Sequence, residues 1–182
     1  MTRYNRLPME MNLKEFIRDV PDYPRPGIVF KDITPLMRDP AALAMAVECM
    51  VSPFRNTHVD IVVGAESRGF IYGTALAQAL SAGFVPIRKP KKLPWKTHGV
   101  EYALEYGTDR LEIHQDAIEP GQRVLLADDL LATGGTMRAC IDLVEKLGGV
   151  VAGVTFLIEL TFLGGRKKLT PHDRDAHAVI LY

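Results

Sequence analysis

Residues 124–136 read VLLADDLLATGGT. Val124, Leu125, Leu126 and Ala127 form an apolar run of the kind that is buried on both faces of a parallel sheet. Asp128 and Asp129 follow at its carboxyl end, and then comes a loop of small residues. Downstream, TMRACIDLVEKLGG spaces Met137, Cys140, Ile141, Val144 and Leu147 along one helical face, with Gly148 and Gly149 to close it. The order is strand, acidic pair, small-residue loop, helix start. Open α/β sheets bind ligands at such junctions. The stretch therefore predicts an α/β fold whose site lies at the carboxyl ends of its strands.

The flanking sequence continues the alternation. DIVVGA is a short buried strand and ESRGF leads into the helix FIYGTALAQAL. FVPIRK and VVAGVTFLIEL read as further strands, and AVILY as a last one. ALAMAVECMVSPF carries Leu43, Val47, Met50, Val51 and Phe54 on one helical stripe. VEYALEYG alternates Tyr102, Leu104 and Tyr106 at period two, and RLEIH pairs with it as a hairpin around Gly107. Nearer the amino terminus, NLKEFIRDV spaces Leu13, Phe16, Ile17 and Val20 as a helix, with Asn12 and Glu15 placed as a capping box. PDYPRPGIVFKDITP, with four prolines, is extended and irregular. Alternating strands and helices predict a mostly parallel sheet covered by helices. The proline-rich segment and the carboxyl-terminal strand fit no simple repeat and are expected to form a smaller subdomain over the sheet's edge.

A chain of 182 residues suits one well-buried domain. Lys plus Arg number 22, as do Asp plus Glu, so no global field favours nucleic acid or an anionic membrane. Cys49 and Cys140 both fall in predicted helices without metal-ligand spacing and read as buried small hydrophobes of a reducing compartment. The amino terminus has no apolar signal region and no run approaches membrane-spanning length, which reads as cytoplasmic.

Three loops carry the chemistry. In ATGGT, Gly134 and Gly135 let the backbone curl so that several N–H groups converge, the following helix adds its positive end, and Thr133 and Thr136 add hydroxyls. That suits one terminal phosphate, although neither a Walker loop nor the GxGxxG fingerprint is present. Asp128 and Asp129 would repel a phosphate, but they suit vicinal sugar hydroxyls, with a divalent cation offsetting their charge. In GAESRGF, Ser67 and Arg68 stand at a second strand-to-helix junction suited to an anion. In IRKPKKLPWK, five cations stand without an acid among them, Arg88, Lys89 and Lys92 included. A solvated loop, a nucleic-acid patch and a clamp for pyrophosphate all fit that run, and the other two anion sites favour the clamp. The basic run in GGRKK, at Arg166, has no such support and reads as a solvated turn.

DDLLATGGT resembles the phosphoribosyl-pyrophosphate (PRPP) motif of type I phosphoribosyltransferases, in the form found in adenine phosphoribosyltransferases. DYPRPGIVFKDITPL is similar to that family's base-binding hood, GAESRGF to its pyrophosphate loop, and IRKPKKLP with YALEYG to its flexible catalytic loop. The resemblance covers nearly the whole chain. It implies a single type I phosphoribosyltransferase domain: a central, mostly parallel sheet flanked by helices, a small hood from about residues 1–35 and a closing loop from about 93–110. It also implies that adenine and PRPP give AMP and pyrophosphate, with Mg2+ carried by PRPP and linked through water, if at all, to Asp128 or Asp129. A homodimer is implied as well.

The same resemblance assigns residues. Asp128 and Asp129 take the ribose hydroxyls, and Ala132, Thr133, Gly134, Gly135 and Thr136 the 5-phosphate. Ser67, Arg68, Arg88, Lys89 and Lys92 take pyrophosphate, with a cis peptide expected between Glu66 and Ser67. Val29, Phe30 and Lys31 take adenine, Phe30 stacking on one face and Leu130 on the other. Glu105 is the acid near N7 of the base, and Tyr106 adjoins it in the closing loop. Lys31 stands where the family commonly has arginine. Glu66 stands where aspartate or another residue is common, a change expected to matter little. Rival readings are a phosphoribosyltransferase for another purine base, opposed by the VFKDITP hood, and a PRPP-sensing regulator, opposed by the lack of spare length and of net positive charge.

Overall fold

The computed structural model describes residues 11–104, 107–173 and 175–182. It divides into two compact units, the first ending at Cys49 and the second running from Met50 to Tyr182.

In the first unit the predicted amino-terminal helix stops after one 3-10 turn, Leu13–Phe16. Asn12 caps that turn as expected, accepting from the Lys14 amide at 3.2 Å, but Ile17 is already extended. Strand β1 (Arg18–Pro21) follows, pairing antiparallel with β2 (Val29–Asp32). A helix this short is marginal, β-branched Ile17 and Val20 disfavour it, and Pro21 would break it. VFKD offers a cross-strand partner instead, with Asp19 opposite Lys31 and their side chains paired at 2.7 Å. The proline-rich segment is thus partly regular. Helix α1 (Thr34–Arg38) begins where the Asp32 carboxylate accepts from the Thr34 amide at 2.9 Å. Helix α2 (Pro40–Val51) begins where Asp39 accepts from the amides of Ala41 and Ala42, both at 2.9 Å. On α2 the fully buried positions include Ala42 and Ala46, whereas Leu43 and Val47 are only half-buried. The buried face of α2 thus runs through its small alanines as well as through Met50 and Val51.

The second unit is built on β3 (Ile61–Ala65), helix α3 (Gly69–Leu80) and β4 (Gly83–Ile87). A hairpin of β5 (Thr97–Leu104) and β6 (Gly107–His114) follows, pairing antiparallel from Thr97 opposite His114. Next come β7 (Arg123–Leu131), helix α4 (Gly135–Lys146) and β8 (Val150–Glu159). Last is β9 (Ala176–Leu181). The sheet has five strands in the order β4-β3-β7-β8-β9, and every pairing in it is parallel.

Strand β9 therefore joins the main sheet beside β8, with Val154 opposite Ala176, and not a separate subdomain. The 16 residues between Glu159 and Ala176 are long enough for the crossover that parallel neighbours need. The core of this unit packs Val63, Leu126, Ile141, Val144 and Phe156 with the inward face of the hairpin, Leu111 and Ile113. Both cysteines are free, and burial pushes the Cys140 thiol well above its ordinary range.

Candidate active site

The order β4-β3-β7 brings three strand ends side by side. The loops that leave them line one cavity of about 550 Å3, formed by Glu66, Ser67, Arg68, Lys89, Lys92 and the run from Asp128 to Met137. Twelve of the predicted site residues meet there: Ser67, Arg68, Lys89, Lys92, Asp128, Asp129, Leu130, Ala132, Thr133, Gly134, Gly135 and Thr136. Val29, Phe30 and Lys31 lie on β2 in the first unit. Glu105 and Tyr106 lie outside the described residues.

Strand β7 continues to Leu131, so Asp128 and Asp129 sit within its carboxyl half, Asp128 opposite Phe156 of β8. Side chains alternate along a strand, and the two carboxyls accordingly meet different surroundings. Asp129 is only 4% exposed and accepts from the Arg68 Nε at 3.0 Å. The Asp128 Oδ1 accepts from the Asp129 amide at 2.9 Å. Burial pushes both carboxyls up. For Asp128 the charge of Asp129 adds to that rise, while for Asp129 the Arg68 guanidinium works against it. Beneath them Tyr72 is fully buried, and burial together with the Asp129 charge keeps its hydroxyl protonated.

The loop from Ala132 leads into α4 through Gly134, whose φ of +79° is costly for any residue with a Cβ. The first amides of this helix have no partner within it and point, with its positive end, at the cavity. Sequence reasoning missed what supports the loop from behind. A Cβ on Gly165 would stand 2.1 Å from the Ala132 carbonyl oxygen, so the two backbones touch. Arg166, beside it, is no solvated residue. Its Nε donates to Glu159 Oε1 at 3.1 Å, a second nitrogen bonds the other carboxylate oxygen, and Nη1 donates to the carbonyl of Ala176 at 2.6 Å. Glu159 is buried at the end of β8, and a buried carboxylate needs such a partner. The GG pair was visible in the sequence, but not the contact it makes.

Each cation predicted for pyrophosphate is paired with an acid. Arg68 is held by Asp129, Lys89 approaches Asp109 at 3.4 Å, and Glu66 takes both Arg88 at 3.2 Å and Lys92 at 2.7 Å. Arg88 does not line the cavity; its guanidinium lies over the Phe70 ring at 5.9 Å. The Glu66–Ser67 peptide is cis, as the resemblance implied. Glu66 itself, set aside in the sequence, turns out to be the centre of this ion-pair group. Tyr102 of β5 bonds Asp109 at 3.4 Å and also engages the Thr136 side chain. That ties the hairpin to the start of α4. Among the described residues no group of three or more His, Cys, Asp or Glu is arranged to hold a metal ion by itself.

Residues 39–179 match the phosphoribosyl transferase domain family. The chain is 60% identical over 163 residues to the adenine phosphoribosyltransferase of Symbiobacterium thermophilum, covering 90% of this chain and 96% of that one. The chain belongs to the adenine phosphoribosyltransferases. A second relative of that name, from Rhodopirellula baltica, is 55% identical over 172 residues, covering 94% of this chain and 82% of its own length. The crystal structure of the Rhodothermus marinus adenine phosphoribosyltransferase superposes with a TM-score of 0.89 at 56% identity, over 93% of this chain and 96% of that one. The enzyme from Saccharomyces cerevisiae, solved with an imino-altritol bisphosphate and adenine, gives 0.83 at 39% identity, over 91% of this chain and 94% of its own. The enzyme described here thus has the type I phosphoribosyltransferase fold, with its parallel five-stranded sheet at the centre. Among the described residues no helix is long and apolar enough to cross a membrane.

Proposed function

We propose that this enzyme moves the 5-phosphoribosyl group of PRPP onto N9 of adenine, forming AMP and releasing pyrophosphate. The observation that carries the reading is the convergence on one cavity of an anion-binding helix start, a carboxylate pair and a cationic turn. Those are the three groups that a phosphorylated ribose bearing a pyrophosphate needs.

The loop from Ala132 to Thr136 takes the 5-phosphate on the amides at the start of α4 and on the Thr133 and Thr136 hydroxyls. Asp128 and Asp129 accept from the ribose 2′- and 3′-hydroxyls, fixing the sugar by its far edge. Ser67, Arg68, Lys89 and Lys92 take the pyrophosphate. As the bond from the anomeric carbon to the pyrophosphate oxygen breaks, negative charge gathers on the leaving group and positive charge on the ring. Lys89, Lys92 and Arg68 face the first and the two aspartates the second, which is preorganised electrostatic stabilisation. Adenine N9 then bonds to the anomeric carbon from the opposite face, and the imidazole proton of the base leaves from its N7 side towards Glu105 or the departing pyrophosphate. Val29, Phe30 and Lys31 are assigned to the base with Leu130, and Glu105 with Tyr106 to its N7 side and to closure. Two desolvated carboxylates side by side suit a nearby divalent cation; Mg2+, carried by PRPP and linked through water to Asp128 or Asp129, would supply charge neutralisation. A homodimer in the cytoplasm belongs to the same reading.

Stacking is indifferent to base identity, so discrimination falls to hydrogen bonds. Adenine offers a 6-amino donor where hypoxanthine offers an acceptor. Pyrophosphate release from PRPP and Mg2+ is expected with adenine and to be lower by about 10³-fold or more with hypoxanthine, guanine or xanthine. Release with another base would overturn the base assignment. Binding of PRPP with no release at all would point to a sensor.

A further inference from the structure

We propose that Glu66 is a positioning residue for pyrophosphate, its carboxylate fixing the turn from Arg88 to Lys92 so that Lys89 and Lys92 face the cavity. The inference rests on the pyrophosphate assignment above. Three donors meet on this one side chain: Arg88 Nε at 3.2 Å, the Lys89 amide at 3.0 Å and Lys92 Nζ at 2.7 Å. They come from the first, second and last residues of the turn, so the carboxylate fastens it at both ends. The side chain is only 9% exposed, and a carboxylate so placed is tolerated only with its partners in position. Burial pushes its carboxyl up, but the Lys92, Lys89 and Arg88 contacts outweigh that and bring it below the usual range. Glu66 therefore stays ionised across neutral pH.

The turn needs this fastening. Lys91 adopts a φ of +66°, in the left-handed region that a side chain disfavours, and its amide is held by Glu112 at 3.2 Å. Arg88 closes the turn on itself by donating to the Lys92 carbonyl at 3.3 Å. Lys92 spends one of its three ammonium donors on Glu66 and keeps two for a ligand. Glu66 is thus a bracket that sets where the lysines stand at the cavity, and not an anion for pyrophosphate to displace. An anion to be displaced would have no use for the Lys89 amide or for an arginine committed to Phe70 and to the Lys92 carbonyl.

The test is calorimetric titration of the full chain with Mg-pyrophosphate and, separately, with ribose 5-phosphate, whose phosphate goes to the loop at Ala132–Thr136. Glu66→Gln keeps the shape and removes the charge. It is expected to weaken pyrophosphate at least tenfold and to raise the KM of PRPP similarly, with ribose 5-phosphate affinity unchanged. Lys92→Met should also weaken pyrophosphate, and the double substitution should lose less than the product of the two factors, because both act through one contact. Wild-type or tighter pyrophosphate binding in Glu66→Gln overturns the proposal, as does equal loss of both ligands. Unchanged binding in Lys92→Met would instead remove the pyrophosphate assignment itself. Should Glu66→Gln fail to fold, Glu66→Asp, with the charge on a shorter arm, must weaken pyrophosphate severalfold and spare ribose 5-phosphate; wild-type affinity there overturns the proposal too.

Discussion

Burial raises both carboxyls of the pair, and Asp128 more than its neighbour. Asp129 has the Arg68 guanidinium at 3.0 Å, whereas Asp128 has an amide and the repulsion of Asp129, on top of its own desolvation. Its folded pKa is therefore raised above the unfolded value of about 4. Between those two values the folded state binds more protons than the unfolded one, so stability falls as pH rises through the window and stays low above it. Asn at this position is neutral throughout. Asp128→Asn is expected to melt roughly 2–6 °C above the parent at pH 7, a gain of about 1–2 kcal/mol, with the difference shrinking as pH falls towards 4. On the proposed ribose assignment, the same substitution should lower kcat/KM for PRPP by about tenfold or more, because it would remove a charge-assisted bond to a ribose hydroxyl. Melting curves at pH 4 to 8 beside an AMP assay check both. A less stable Asp128→Asn at pH 7 would mean that the carboxylate is favourably ionised in the fold.

The loop from Ala132 to Thr136, to which the 5-phosphate is assigned, is an element held from two sides. In front, Gly134 turns the chain into α4; behind, the backbone of Gly165 fills the space under Ala132. The segment Gly165–Leu169 cannot retreat, because Arg166 is bonded to buried Glu159 and to the Ala176 carbonyl at the root of β9. Gly165→Ala must therefore push on the loop. Overpacking of this kind costs about 1–3 kcal/mol of stability, and a displacement of about 1 Å at a binding loop can cost ~10²-fold in rate. The expected result is a steep rise in the KM of PRPP, with a melting temperature lowered by only a few degrees; an unchanged KM would separate this contact from the loop's function. Why α4 and its loop could be read from the sequence, and this support could not, follows from distance along the chain. Met137, Cys140, Ile141 and Val144 announce their helix by local spacing, and all are buried in it. Gly165 meets Ala132 across 33 positions and Glu66 meets Lys92 across 26, and no local pattern marks either pair. The failed helix at Leu13–Val20 is the converse case. Its local spacing was right for a helix, and pairing with a strand nine residues away overrode it.

For the chain as a whole, 22 acids balance 22 bases, but the balance is not spread evenly. Around the cavity Arg68, Lys89 and Lys92 each lean on a carboxylate, while Asp128 has no cation of its own at hydrogen-bond distance among the described contacts. Composition shows no global field that would favour a polyanion, and only the parallel order of the strands, itself legible from the alternation of β and α segments, brings these charges to one edge. PRPP with Mg2+ would answer that arrangement on the reading proposed above: its phosphates would meet the cations, and its hydroxyls with the metal charge the aspartates. A ligand that binds only the folded chain stabilises it by about 2.7 kcal/mol at a hundred times its Kd. For a chain of this size that is a rise in melting temperature of roughly 5–10 °C. The rise should appear with PRPP and Mg2+ together. It should fall by more than half when EDTA removes the metal, because the phosphates then return uncompensated charge to a site already holding Glu66, Asp128 and Asp129. A thermal shift of the same size with and without EDTA would show that the lysines and Arg68 alone neutralise PRPP, and the metal would then lose its part in binding.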